Sequence, residues 1–147
     1  ADIIVTFDGD GQHKVSQIKK LVRPILEGKV DMTLGSRFLK KRDFLSVPLT
    51  KRIVLKMACL FDNFFSGLDL TDAHNGLRAF RSSVYSYVQF RQDRMAHASE
   101  IVYNMSKNNI KFKEVAVSIS YQIEKKSQSI LSAPKIILDL FWNEWVD

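Results

Sequence analysis

An apolar run that ends abruptly in two carboxylates is the strongest constraint this chain carries. Ile3-Ile-Val-Thr-Phe7 reads as a buried type of β-strand, and Asp8-Gly-Asp10-Gly-Gln12 follows at its carboxyl end. The interleaved glycines let the backbone turn sharply, so Asp8, Asp10 and Gln12 can converge as hard oxygen donors on one point. A divalent cation suits such a point. Held by few protein ligands, it keeps coordination positions open for substrate phosphates, which directs attention to phosphorylated substrates. The plainer alternative is an Asp/Gly turn that merely punctuates a strand.

A strand entering a glycine turn needs a sheet and a core around it. With 147 residues, 46% of them hydrophobic, the chain can bury one core, and a single domain over residues 1–147 is expected. An excess of 22 Lys and Arg over 16 Asp and Glu, a net +6, favours anionic partners. The one cysteine, Cys59, excludes an internal disulfide and lies in the apolar run Met57-Ala-Cys-Leu-Phe61, where a buried structural thiol is expected. No apolar stretch reaches the ~18 residues of a membrane span. The chain starts at Ala1 and enters a core strand at once, so a fragment is expected.

Helical spacing links Val15, Ile18, Val22 and Ile25, with Leu21 and Leu26 beside them, and Gly28 stops the run. This predicts a helix covering a sheet. Val30 to Leu34 reads as a second strand, ending in Gly35-Ser-Arg37. Two strands therefore carry polar groups at their carboxyl ends, where ligands bind in open α/β sheets, so Asp8, Asp10 and Arg37 can line one crevice.

Residues 38–67 differ in kind. Lys40-Lys-Arg-Asp-Phe-Leu-Ser-Val-Pro48 is basic and loop-like, and Leu49 to Phe65 predicts an amphipathic helix in which Lys51, Arg52 and Lys56 alternate with Ile53, Val54, Leu55, Met57, Leu60, Phe61, Phe64 and Phe65. Contact with a membrane surface and a core helix with a solvated basic edge are both open. Further on, Thr71 to Phe80 is a polar turn feeding a strand, Ala96 to Lys107 is helical by spacing, and Phe112 to Tyr121 alternates as a late strand. Residues 130–147 read as an apolar carboxyl-terminal helix whose Trp142 and Trp145 suit an interface.

The order Phe7-Asp-Gly-Asp-Gly-Gln-His13, Gly35-Ser-Arg-Phe38, Asp72-Ala-His-Asn-Gly-Leu-Arg78-Ala-Phe80 and Met95-Ala-His-Ala-Ser-Glu100 resembles the family 2 glycosyltransferases of the GT-A fold. The polyprenyl-phosphate branch, similar to dolichol-phosphate mannosyltransferase, and its bacterial cell-surface relatives match best, over Asp2 to about Leu140. The resemblance implies an α/β fold, a mixed sheet flanked by helices. It implies transfer of a sugar from a nucleotide-diphospho-sugar to a polyprenyl-phosphate or cell-surface glycan acceptor, with Mg2+ or Mn2+ as cofactor. Asp8, Asp10 and Gln12 match the metal and diphosphate motif, Asp10 and Gln12 as direct ligands and Asp8 facing the donor. Arg37 matches a phosphate-binding arginine, and Arg52 resembles one that holds the acceptor phosphate. Asp72 and Arg78 fall in the acceptor-side motif, and His97 and Glu100 match a helix near the active site. A cytoplasmic protein, peripheral at the inner face of the cell membrane, follows from the same likeness.

A lipid phosphate is already anionic and needs no strong base, so arginines that orient it would supply most of the protein's contribution. A hydroxyl acceptor would need a carboxylate to take its proton, and Asp72 is the candidate. Family members also carry, ahead of the acidic motif, an amino-terminal half that holds the donor's base and ribose, to which nothing here corresponds. Weak donor binding, no transfer by this chain alone and self-association through an uncovered sheet edge are therefore expected. Two other classes stay open. A haloacid dehalogenase-type phosphohydrolase shares the Asp-x-Asp strand end but wants Thr or Val where Gln12 stands. A non-catalytic basic module could sit on an anionic membrane; nucleic acid is disfavoured, because the aromatics lie in apolar runs and not among Lys and Arg.

Overall fold

Alternation along four short strands decides which residues face which layer. The computed structural model describes residues 2–9, 11–88 and 96–120, with Ala96 and His97 described by backbone alone. Strands β1 (Ile3–Thr6), β2 (Met32–Ser36), β3 (Arg78–Arg81) and β4 (Phe112–Ala116) form one mixed sheet in the order β1-β3-β2-β4. β3 runs antiparallel to both β1 and β2, with Ile4 opposite Phe80 and Thr33 opposite Ala79, whereas β2 and β4 are parallel, with Leu34 opposite Glu114. The α-helices among the described residues are α1 (Ile18–Leu26), α2 (Lys41–Ser46), α3 (Leu49–Ser66), α4 (Tyr85–Val88) and α5 (Ala96–Lys107), with short 3-10 turns at Val15–Gln17 and Ser82–Val84.

The period of two sorts the apolar residues into two cores. On one face Ile3, Val5, Ala79, Val115 and Val117 pack against Leu21 and Ile25 of α1. On the other, Ile4, Met32, Leu34, Phe80 and Phe112 pack against Cys59 of α3 and Ile101, Val102 and Met105 of α5. The sheet is thus flanked by helices on both faces, the mixed α/β arrangement expected from the sequence. Thr33, the polar residue in β2, is buried without loss because its hydroxyl donates to Leu21 O of α1 at 3.0 Å.

Several boundaries differ from the sequence-based expectation. β2 occupies Met32–Ser36 and not Val30 to Leu34, because its ladder extends to Ser36 against Ala116 of β4. Val15 and Leu26, counted in the apolar stripe of α1, are exposed. The segment Lys40 to Pro48, expected as a loop, contains α2. Asp43 places a negative charge in its first turn, and Phe44 is held between the edge of Phe38 and the guanidinium of Arg52, which lies 4.1 Å from the ring centroid. α3 forms as expected and stops at Gly67, whose φ of 70° supplies the left-handed cap and whose N–H reaches Asn63 O.

β4 ends at Ala116, well short of Tyr121. The chain beyond it leaves the ladder to brace the acidic loop: Val117 N–H donates to Ser36 O, and Ser120 N–H donates to Gln12 O at 3.0 Å, beside a bridge between His13 and Ile119. Tyr121, the apolar segment 130–147, Asp10 and the side chain of His97 lie outside the described residues.

Cys59 is the buried structural thiol its sequence context suggested. Its S–H donates to Leu70 O at 3.2 Å, and burial pushes the thiol up to about 11. In a native buffer near pH ~8 it will therefore stay unmodified by a disulfide reagent, and urea will release full reactivity. Rapid native labelling would contradict this packing.

Candidate active site

Three strand ends deliver polar side chains to one end of the sheet. β1 delivers Asp8, β2 delivers Ser36 and Arg37, and the loop Leu70 to Leu77 before β3 delivers Asp72, His74, Asn75 and Gly76. Arg37 and Asp72 form a buried ion pair, their side chains 6% and 1% exposed. Arg37 Nε donates to Asp72 Oδ2 and Nη2 to Oδ1, both at 2.6 Å, and the Arg37 backbone N–H adds a third bond to Oδ2 at 3.0 Å. Both oxygens of Asp72 are thus engaged by a bidentate fork. Ser36 and Thr71 hydroxyls meet at 2.6 Å, and Glu114 of β4 accepts from Thr71 N–H, Thr71 Oγ1 and Asp72 N–H at 2.9 to 3.0 Å.

Burial raises the Glu114 carboxyl above its ordinary value, and the hydrogen bonds from Thr71 and Asp72 offset part of that rise. A carboxyl raised in the folded state holds its proton more tightly there than in the unfolded chain. Its contribution to stability is therefore present at low pH and lost as pH climbs from the ordinary carboxylate value to the raised one. Urea midpoints measured across that window will show the parent losing ground against Glu114→Gln as pH rises. A difference that widens in the parent's favour would reverse the assignment.

Next to this polar layer lies a cavity of about 240 Å³. Asp8, Gln12, Arg37, Lys51, His74 and Arg78 are among the residues that line it, with Asn75 and His13 beside them. Asp8 stands at its rim, its side chain 62% exposed, with His13 Nε2 3.6 Å from Oδ2. Gly76 fits against Asp8 so closely that a Cβ there would fall inside contact distance of all three carboxylate atoms. A second, more apolar cavity of about 410 Å³, lined by Phe80, Tyr85 and Ile101, shares Asp8, Gly76 and Arg78 as a common wall.

Around the first cavity stand buried donors that have no acceptor among the described residues. Arg78 is buried, gives Nη2 to Ala73 O at 3.2 Å and has no partner for Nε among the described residues. Burial pushes its guanidinium down to about 10, with Asp8 and Asp72 holding it up, so it remains cationic at neutral pH. Asn75 fixes its amide by accepting Leu77 N–H at Oδ1, which leaves Nδ2 buried and, among the described residues, unpartnered. Buried donors without acceptors are costly, and several around one cavity with Arg37, Lys51 and Arg78 fit an anionic occupant.

The described oxygen donors fit a hard divalent cation. Asp8 and Gln12 share the cavity wall, and Asp10 lies between them in sequence. Among the described residues no group of three His, Cys, Asp or Glu side chains is arranged as a metal site.

Not every residue singled out from sequence comes to this place. Arg52 does not line the cavity: it donates to Val47 O at 2.9 Å and stacks on Phe44, so it closes the α2–α3 turn. Lys51, one residue earlier, lines the cavity instead. Glu100 is half-buried on α5 and is not a cavity residue, whereas Ala98 of the same helix is. Sequence reasoning gave no role to Glu114, His13, Lys51 or Asn75. A lone carboxylate inside the β-pattern Phe112-Lys-Glu-Val-Ala was the available signal for Glu114.

This geometry, a mixed α/β sheet whose strand ends gather oxygen donors and buried cations, agrees with sequence comparison. The profile of Glycosyl transferase family 2 matches residues 1–88, and the chain belongs to that family. An uncharacterized protein of Methanocaldococcus jannaschii is 32% identical over 142 residues, covering 94% of this chain and 58% of that protein. The UDP-N-acetylglucosamine–dolichyl-phosphate N-acetylglucosaminyltransferase of Methanococcus voltae is 34% identical over 123 residues, 82% of this chain and 49% of its own length. The polyprenol monophosphomannose synthase of Mycolicibacterium smegmatis is 24% identical over 135 residues, 91% of this chain and 51% of its own length. The chain spans about half the length of these relatives.

Proposed function

We propose that the protein carrying this chain transfers a sugar from a nucleotide-diphospho-sugar to a polyprenyl phosphate at the membrane surface, and that this chain supplies the metal and acceptor side of the site. The cluster of unpartnered buried donors, Arg78 Nε and Asn75 Nδ2, beside Arg37 and Lys51 carries this reading. Two of the relatives are named for dolichyl or polyprenol phosphate chemistry, which supports the acceptor class.

Asp8, Gln12 and Asp10 are the residues that would hold Mg2+ or Mn2+, and such an ion, when bound, stabilises the charge on a departing diphosphate. The chain's own cations orient the acceptor. Arg78, buried and tied through Nη2 to Ala73 O, offers Nε, and Arg37 is locked by Asp72, so both are set before the acceptor arrives. Asp72 has its two oxygens committed to Arg37, which suits an acceptor phosphate that needs no base better than a hydroxyl that does. Arg37 and Asp72 then act as a preset frame, with Arg78 and Lys51 as the phosphate contacts.

The outer face of α3 suits a bilayer. Leu49, Ile53, Met57, Leu60 and Phe64 recur every three or four residues and are 57% to 82% exposed, while Leu55, Ala58 and Cys59 are buried on the opposite side. No helix among the described residues is long and apolar enough to cross a membrane. Peripheral docking at the inner face follows as part of the proposal. Because Phe61 is half-buried whereas Leu60 and Phe64 are exposed, Leu60→Asp with Phe64→Asp is the cleaner disruption. That double variant will lose at least about tenfold in vesicle flotation while keeping its melting temperature. Equal flotation by parent and variant would remove the docking claim.

The reaction itself is tested in the whole protein carrying this chain. Radiolabelled UDP-N-acetylglucosamine or GDP-mannose is supplied with polyprenyl phosphate, polyprenol or a soluble glycan, with and without Mn2+. Transfer to the phosphate alone, lost in chelator and in Asp10→Asn, is expected. Transfer to the free alcohol or glycan, or full activity in excess chelator, would contradict it.

A further inference from the structure

At the cavity wall lies one member of a buried pair that the chemistry above does not use. Asp62, on the buried side of α3, places Oδ2 3.0 Å from Nε2 of His74, and the two side chains are 3% and 5% exposed. Among the described residues neither atom has an aligned hydrogen bond, so the contact is one of proximity. His74 lines the cavity, and with Nε2 turned to Asp62 its Nδ1 is the ring nitrogen left for an occupant. Asn75, the next residue, brings the buried and unpartnered Nδ2.

The same helix holds the loop on which these residues sit. Lys56 Nζ reaches Thr71 O, Cys59 Sγ reaches Leu70 O, and Asn63 exchanges two bonds with Leu70 at 2.8 and 3.0 Å. Side chains from successive turns of α3 thus fasten the loop, and the opposite side of α3 is the exposed apolar stripe. Asp62 is the one member of this set whose partner is a cavity residue.

We propose that His74 and Asn75 are ligands for the acceptor phosphate, and that Asp62 is the positioning residue that ties them to the docking helix. This rests on the reading above, in which an anionic phosphate enters the cavity. Asp62 on one side of the ring and the phosphate on the other give each ring nitrogen an anionic neighbour. The phosphate then accepts from Nδ1 and from Asn75 Nδ2, both bonds strengthened by its own charge, and supplies the acceptor that Nδ2 lacks among the described residues. A polyprenol, which has no anionic oxygen, gains neither.

The test uses the whole protein carrying this chain, with farnesyl phosphate and farnesol as probes. Steady-state kinetics, calorimetric titration and flotation on phosphatidylglycerol–phosphatidylcholine vesicles are run on the parent, Asp62→Asn, His74→Gln and the double variant. Each single change is expected to raise the KM for farnesyl phosphate about tenfold, with kcat and donor KM held within about twofold and flotation unchanged. The double variant should be no worse than the worse single, because both changes break one unit. In titration, His74→Gln should lose about tenfold of the preference for farnesyl phosphate over farnesol.

Should His74→Gln fold poorly, His74→Asn is read in the same way. Losses shared equally by kcat and both KM values, or losses that multiply in the double variant, would mark a pair that only supports the fold and would overturn the proposal. Normal transfer with no His74 dependence would overturn it while leaving the proposed reaction standing. A parent that transfers to no prenyl phosphate, yet binds farnesyl phosphate in a His74-dependent way, would overturn the reaction and uphold the ligand. No preference for the phosphate over the alcohol in the parent would sink both.

Discussion

Arg37→Ala will lower stability by about 3–5 kcal/mol, more than any other single change in the site, because it strands a buried carboxylate. Asp72 is almost fully enclosed and its Oδ1 and Oδ2 both accept from Arg37, so removal of the guanidinium leaves a charge with nowhere to go. For a domain of this size the shift in melting temperature should be on the order of 10 °C. A charge-free replacement of both partners, Arg37→Met with Asp72→Leu, should recover much of the loss, since the desolvation of two ions disappears with their attraction. Thermal and urea unfolding of the three proteins decides it. A loss below about 1 kcal/mol for Arg37→Ala would mean that water reaches Asp72 and that the pair is not enclosed as described.

Gly76→Ala will do the opposite, sparing the fold and removing activity. The new Cβ would collide with the Asp8 carboxylate, and of the two sides in that collision the carboxylate is free to move. The Gly76 carbonyl is held by Thr6 Oγ1 at 3.2 Å, so the backbone stays and Asp8 swings away. Displacing a donor of the proposed cation site by about an ångström should cost about 100-fold in kcat. Unfolding should shift by no more than about 1 kcal/mol. Transfer assays, together with Mn2+ binding followed by electron paramagnetic resonance, check both parts. Unchanged Mn2+ affinity and turnover would show that Asp8 has no part in the site.

What the sequence revealed and what it withheld follow from the range of the interactions involved. The helices α1, α3 and α5 were legible because apolar spacing and a stop signal are local, as at Gly67. α2 was not, because its stability comes from Phe38 and Arg52 outside its own six residues. Asp8, Gln12 and Arg37 were legible as polar groups following strand ends and Arg78 through the family resemblance, and all four line one cavity. Arg52 against Lys51 could not be resolved, since helix phase decides which of two adjacent cations faces the cavity. Glu114 lies 42 residues from Asp72, whose N–H it accepts, so no local pattern joins them. The commitment of Asp72 to Arg37 is likewise a tertiary fact, and it engages both oxygens of the candidate base.

The orientation of α3 also fixes an altitude. Its outer stripe and its cavity-lining residues Lys51 and Leu55 lie on different sides of one helix, so a bilayer on the stripe stands off from the cavity by about one helix diameter, ~10 Å. On the proposed docking, a lipid-borne phosphate has to rise only that far, and its search for the site is confined to the membrane plane. Only the first isoprene units leave the hydrocarbon, and the rest of the tail stays behind as an anchor. The enzyme should therefore discriminate sharply at the head of its acceptor and hardly at all along the tail, accepting chains of very different length so long as each is long enough to stay in the membrane.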